Sequence, residues 1–265
     1  MDRLLICFLA LFVSAAVACA DQDAARPPIG PVLQRMLTEY VRPGYAEFNA
    51  AATDLETSVS ELCETPSDDN LDATRSAFRG AVESWSRIEW LRLGPVMSDN
   101  RLERILFFPD RKGTGRRQVE AAIASRQENV TRVGTLAGQS VAMQGLGALE
   151  FILFGSGSDM LAVPEASHRC AFARAAATNL VDLSNEIIAG WRDGTGLARV
   201  FLKPAPGNPL FRTDQEALNL LLGQMIHGLE AIRDTRVNAF LDREDPGHDR
   251  PRSALFWRSG MTLPS

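Results

Sequence analysis

Glu150 is the side chain whose placement most demands a chemical explanation. It stands in the run Gln144-Gly145-Leu146-Gly147-Ala148-Leu149-Glu150-Phe151-Ile152-Leu153-Phe154-Gly155, which is otherwise almost entirely apolar. Burying a carboxylate in such surroundings is costly unless it is paired, hydrogen-bonded or protonated. Such a residue either fixes the register of a bundle through a buried hydrogen bond or faces a binding site. Asp110, after Pro109 in the stretch Phe107-Phe108-Pro109-Asp110, is a second acid with two readings, capping a helix or lining a cleft. Capping is the stronger of the two. Hydrolytic machinery is not evident, because the chain holds neither His-Glu-x-x-His nor a Gly-x-Ser-x-Gly elbow. A catalytic zinc takes about three protein ligands plus an open water position, and the sequence shows no such cluster. No catalytic residue is assigned, and the chain reads as a binder more than an enzyme.

The elements that must position these groups are helices. Leu33, Met36, Leu37 and Tyr40 recur with helical spacing, Pro43 should kink or restart that helix, and Phe48, Leu55, Val59 and Leu62 continue it. The capping-rich turn Pro66–Asn70 precedes a second helix carrying Phe78, Val82, Trp85 and Ile88 up to Leu91. Leu93–Gly115 is irregular, Arg116–Val130 predicts a polar-faced helix, and Gly134–Phe154 predicts one central helix buried on most sides. Further helices are expected over Ser167–Trp191 and from the capping box at Thr213-Asp214-Gln215-Glu216 to about Leu241, with a last short one near Ser253. No run of alternating β-branched residues occurs, so the class is all-α, packed as helical bundles.

The ends and the composition bound the setting. Leu4–Val17 is apolar and uncharged, shorter than the roughly 20 residues that span a bilayer, and is followed by the small-x-small patterns Ala16-Val17-Ala18 and Ala18-Cys19-Ala20. Residues 1–20 are therefore expected to be a signal peptide and 21–30 a flexible leader, which places the protein in the periplasm. Cys19 offers a variant, membrane anchoring through lipidation, although Ala16 stands where a lipobox carries Leu. Cys63 and Cys170 then remain, either as a disulfide or as two buried thiols. The net charge of -5 and an aromatic content of 7% argue against nucleic acid as a partner.

In the Glu150 segment the chain resembles the imelysin-like proteins, whose signature is Gly-x-His-x-x-Glu on a helix. Gly145 and Glu150 match that signature, and Gly147 stands at the histidine position. Trp85 with Glu89 and Gly94-Pro95, the Phe107–Asp110 loop, the helix ending in Trp191, Gly228-Leu229-Glu230 and Phe256-Trp257-Arg258-Ser259-Gly260 are similar to further family features, in the family's order. The resemblance implies two helical bundles related by duplication. Here residues 31–196 would form the first bundle and 197–265 a second that looks incomplete. It also implies a metallopeptidase or a periplasmic iron-uptake accessory protein. Both ideas lean on a histidine and a glutamate sharing one helix face. With Gly147 present one ligand is gone, and a lone carboxylate binds iron or zinc poorly.

Three histidines could stand in. His168 reads as a capping or solvated residue and His248 as an exposed one, whereas His227-Gly228-Leu229-Glu230 repeats the spacing on another helix. Glu150, His227 and Glu230 are thus the candidate metal ligands. Gly145, Gly147, Glu150, Glu89, Asp110, Arg258 and Ser259 are the candidate ligand site, with Arg258 able to neutralise Glu150 or to bind a small anionic group. The expected function is a non-catalytic periplasmic binding protein related to iron-uptake accessory proteins. The alternatives are a metal-dependent peptidase and a structural or partner-binding envelope protein.

Overall fold

The computed structural model describes residues 28–192, 194, 196–238, 241, 252 and 254–261. The apolar stretch Leu4–Val17, Cys19, His248, the Pro246–Pro251 break and Ser253 lie outside them. Among the described residues the structure is all-α, with helices joined by turns and no strand, and no helix is long and apolar enough to cross a membrane.

The core is a four-helix arrangement of α2 (Arg42–Glu64), α3 (Asp68–Ile88), α7 (Gly145–Phe154) and α8 (Ser167–Gly190). A short α1 (Ile29–Arg35) leads into α2 through a π-helical turn, Met36–Val41. Pro43 lies in the first turn of α2. It has no N–H to give to the preceding turn, so the ladder is interrupted at the expected place. Helix α2 buries Tyr45, Phe48, Ala52, Leu55, Val59 and Leu62, one stripe at helical spacing. Ser67 starts α3 by accepting the Asn70 N–H at 3.2 Å, and Phe48 packs on Trp85 with ring centroids 5.0 Å apart. Helices α2 and α8 run antiparallel. The Cys63–Cys170 disulfide ties one end of the pair, the Asn49 amide donates to Ser184 at 2.7 Å, and Arg42 donates to the Trp191 carbonyl at 2.9 Å. Of the two readings of the cysteines, the bonded one holds.

Between α3 and α8 the chain forms α4 (Arg101–Ile105), α5 (Thr114–Ala124), α6 (Val133–Leu136) and α7, joined by turns. The single helix expected over Gly134–Phe154 is not formed. Residues 137–144 are turns, and α7 starts only at Gly145. The cause is local. Gln144 is extended, and Gly145 has a φ of 66° with its Cα against the end of α4. A Cβ there would sit 2.2 Å from the Ile105 carbonyl oxygen and 2.3 Å from that of Arg104. The helix expected over Arg116–Val130 likewise stops at Ala124 and gives way to turns.

After α8, α9 (Gly196–Leu202) and α10 (Asp214–Ala231) follow, with α10 extended by a π-helical turn, Ile232–Val237. Thr213 caps α10 by accepting the Glu216 N–H at 3.2 Å, and Glu216 reaches back to the Arg212 N–H at 2.6 Å. Both α9 and α10 pack on α1. The segment 254–261 returns to the bundle, with Ala254, Leu255 and Phe256 buried and Phe256 edge-on to Phe78 at 5.9 Å.

Candidate functional site

Helix α7 is held rigidly. Among its last carbonyls Phe151 already accepts the Gly155 N–H at 2.8 Å, and two arginines cap the helix end. Arg169 donates to Phe151, Ile152 and Ser156 carbonyl oxygens at 3.1, 2.9 and 2.8 Å, and Arg75 donates to the Leu153 carbonyl at 3.0 Å. Burial pulls the Arg169 guanidinium down to about 10, still well above neutrality, so the cation is kept where the helix dipole favours it. At the other end Gln144 forms a buried network, its Oε1 accepting from Arg104 at 3.0 Å and Asn179 at 3.3 Å.

Glu150 projects from this fixed helix and is 5% exposed. Its Oε1 accepts the main-chain N–H groups of Arg258 at 3.0 Å and Ser259 at 3.1 Å, with the Ser259 hydroxyl at 3.3 Å. The Arg258 guanidinium stands 3.5 Å from Oε2. Burial raises the Glu150 pKa, and the Ser259 N–H and Arg258 oppose that shift without cancelling it. Chemically the carboxylate is a latch that holds the segment 254–261 against α7. Arg79 adds a second tie from α3 by donating to the Ser259 carbonyl at 3.1 Å. Phe256, a bulky residue with a φ of 53°, takes a backbone conformation that only such surrounding contacts sustain.

Beside this segment lies a cleft of about 550 Å³, between α7, the Leu106–Asp110 loop, the start of α5, the turn after α10, Arg252 and residues 254–258. Glu150, Gly147, Asp110 and Arg258 all line it, so four of the candidate residues are brought together. Gly147 is exposed there, and a Cβ added to it would meet nothing within 4 Å. Of the two glycines only Gly145 is closely approached by another segment, and position 147 is open floor. Asp110 points both oxygens at the first turn of α5, accepting the Thr114 N–H at 2.6 Å and the Gly115 N–H at 2.9 Å. It is a cap, as its position after Pro109 suggested, and it also lines the cleft. Ser259 is buried behind the latch and shares its hydroxyl with the Phe256 carbonyl at 3.1 Å.

Two expected groupings are not formed. Glu89 does not join Glu150 but lines a neighbouring cavity, where it pairs with Arg236. His227 and Glu230 form a pair on α10, Nδ1 to Oε2 at 3.2 Å, with side chains 74% and 51% exposed. Nothing gathers that pair around Glu150, and among the described residues no three of His, Cys, Asp and Glu are placed to hold a metal ion. Glu150, engaged by main-chain N–H groups and an arginine, is a poor donor set for iron or zinc, so the residues present do not fit a metal at this motif. His168 holds the Gln127 carbonyl oxygen at 3.0 Å.

The cleft also contains residues that sequence reasoning missed. Arg111, Arg116 and Arg252 line it together with Arg258. Arg252 and Arg258 lie over the Trp257 ring at 5.6 and 4.6 Å, and Arg258 also over Phe151 at 5.5 Å. The acids of the same cleft are already engaged, Glu150 and Asp110 as described and Asp234 by Arg233 at 2.6 Å. The arrangement offers planar cationic groups against aromatic faces, suited to carboxylate or phosphate oxygens.

A family model described as Imelysin matches residues 41–265. The chain is 22% identical over 218 residues to "Iron-regulated protein A" of Synechococcus elongatus, a match that covers 81% of this chain and 56% of that protein. The chain thus spans a little over half the length of this curated relative. Among solved structures, an imelysin-like protein from Psychrobacter arcticum 273-4 superposes with a TM-score of 0.67 at 19% identity, covering 80% of this chain and 64% of the other. A protein from Parabacteroides distasonis ATCC 8503, described as an iron-regulated protein A precursor, gives 0.72 at 16% identity, covering 88% and 69%. At these identities the structural likeness speaks for the fold.

Proposed function

The chain belongs to the imelysin family, and we propose that it acts as a non-catalytic periplasmic binding protein whose arginine-lined cleft takes a small anionic ligand. One observation carries this reading. The acids facing the cleft are bound by the protein itself, whereas Arg111 and Arg252 line it exposed to solvent, beside the part-buried Arg258. Similarity to proteins named iron-regulated protein A supports a setting that responds to iron. The apolar stretch Leu4–Val17 with the small residues after it supports export.

The test is calorimetric titration with inorganic phosphate and with citrate, at low and at raised salt. Binding is expected to weaken about tenfold or more in Arg258→Ala and in Arg252→Ala, since each removes a charge-assisted contact. It should also weaken as salt rises. Failure of both anions to bind would remove the reading. So would stoichiometric iron or zinc that disappears in Glu150→Ala, or peptide hydrolysis that a chelator abolishes.

A further inference from the structure

A second cavity, of about 310 Å³, lies between the end of α3 and the turn that extends α10. It shares Leu106, Phe108, Pro109 and Thr235 with the arginine-lined cleft but differs from it in chemistry. Its walls are mainly aromatic and aliphatic, with Trp85, Trp90, Leu102, Leu229 and Ile232 prominent. Trp90 is fixed in place before any ligand arrives. Its Nε1 donates to the Tyr40 oxygen at 2.7 Å, and the Tyr40 hydroxyl donates to the Arg87 carbonyl at 2.5 Å. Gly228 lets α10 approach the base of the Trp90 side chain closely, because a Cβ there would lie 2.8 Å from Trp90 Cβ. A wall set in advance lowers the ordering cost of binding.

The charges around this cavity balance, Glu89 and Glu103 against Arg92 and Arg236. Glu89 and Arg236 form a pair with side chains 15% and 9% exposed. Desolvating such a pair is costly, and it contributes little stability over an apolar substitute. The pair is closed by Arg236 Nη2 on Glu89 Oε1. A guanidinium carries five N–H donors, and this one lines the cavity. A cavity of this size, mostly apolar with a few convergent polar groups, has the character of a small-molecule site.

We propose that the cavity bounded by Trp85, Trp90, Phe108 and Ile232 binds a small, flat, neutral apolar molecule whose single carbonyl oxygen is received by Arg236. Net neutrality of the lining rejects a charged ligand, and the aromatic walls favour a ring. The site is independent of the anion reading of the neighbouring cleft.

The test is ¹⁹F NMR line broadening of 4-fluoroacetophenone and 4-fluorobenzoate by the full chain. The ketone is expected to broaden and the benzoate to broaden less. Arg236→Lys keeps the charge facing Glu89 but loses the planar fork, and should weaken ketone binding about three- to tenfold. Leu229→Trp, at a rim position 67% exposed where bulk does not threaten folding, should block entry and abolish broadening. Arg258→Ala, in the other cleft, should leave ketone binding unchanged. No broadening with the wild-type chain, equal broadening in Leu229→Trp, a preference for the benzoate, or loss on Arg258→Ala would each overturn the proposal.

Discussion

Replacing Glu150 with Ala tests the latch directly. The change removes the acceptor of two main-chain N–H groups, Arg258 at 3.0 Å and Ser259 at 3.1 Å, and the Ser259 hydroxyl falls back on the Phe256 carbonyl. If the segment stays in place, one buried and one part-buried donor go unmet at about 1–3 kcal/mol each. If it leaves, Leu255 and Phe256 lose their burial at about 1.5–3 kcal/mol each. Relief of the backbone strain at Phe256, about 1–3 kcal/mol, offsets part of the second route. The first route thus costs about 2–6 kcal/mol and the second about 0–5 kcal/mol, centred on about 4 and about 2.5. Glu150→Gln keeps an oxygen for the two N–H groups and removes the desolvated charge, so it should lose less than half as much. Urea unfolding gives the magnitude, and hydrogen exchange of the amides in 254–261 gives the place. Exchange there should accelerate in the Ala variant and stay near wild type in Gln. A Glu150→Ala protein within about 0.5 kcal/mol of wild type, with those amides still protected, would refute the latch and return Glu150 to the list of candidate ligands.

Further outcomes follow from the same contacts. Gly145→Ala should cost more than about 3 kcal/mol in urea unfolding, because it combines a positive φ with two main-chain oxygens that cannot move aside. Gly147→Ala, in a helix with nothing near its new methyl group, should instead stabilise by about 0.5–1 kcal/mol. Reducing the Cys63–Cys170 bond opens a loop with a sequence separation of 107 and should cost about 4 kcal/mol. Thiol titration of the denatured, unreduced chain should find neither of these two cysteines reactive. Burial raises the Glu89 pKa against the opposing charge of Arg236. A raised folded-state value means that the native chain holds its proton longer than the unfolded one. Its stabilising contribution is complete below the unfolded value and is lost as pH rises through the folded value. Glu89→Gln should therefore flatten the decline of the urea midpoint as pH is raised above the ordinary carboxylate range. An unchanged slope would contradict the raised pKa.

The long helices were legible because their burial is periodic. Leu55, Val59 and Leu62 on α2, or Phe78, Val82 and Trp85 on α3, state their inward face without help from the rest of the fold. The start of α7 was not legible. Residues 134–144 have a helical composition, and what stops a helix there is the backbone of α4 pressed against Gly145, a contact between segments 40 residues apart. The cleft was half legible for a related reason. An acid in an apolar helix announces that it meets something polar, but not that its partners are main-chain N–H groups more than 100 residues downstream. Of the arginines only Arg258 stands out in one dimension, through the Trp257–Gly260 stretch; Arg111, Arg116 and Arg252 come from separate stretches and converge with it only in the fold. That convergence bears on Gly147, which stands where the family resemblance places a histidine. A side chain at position 147 would project into the same open space that the arginines surround. With glycine there and Glu150 engaged by the 254–261 segment, the proposed recognition of an anion in this cleft would rest on the cations of its walls, which Arg252→Ala and Arg258→Ala test.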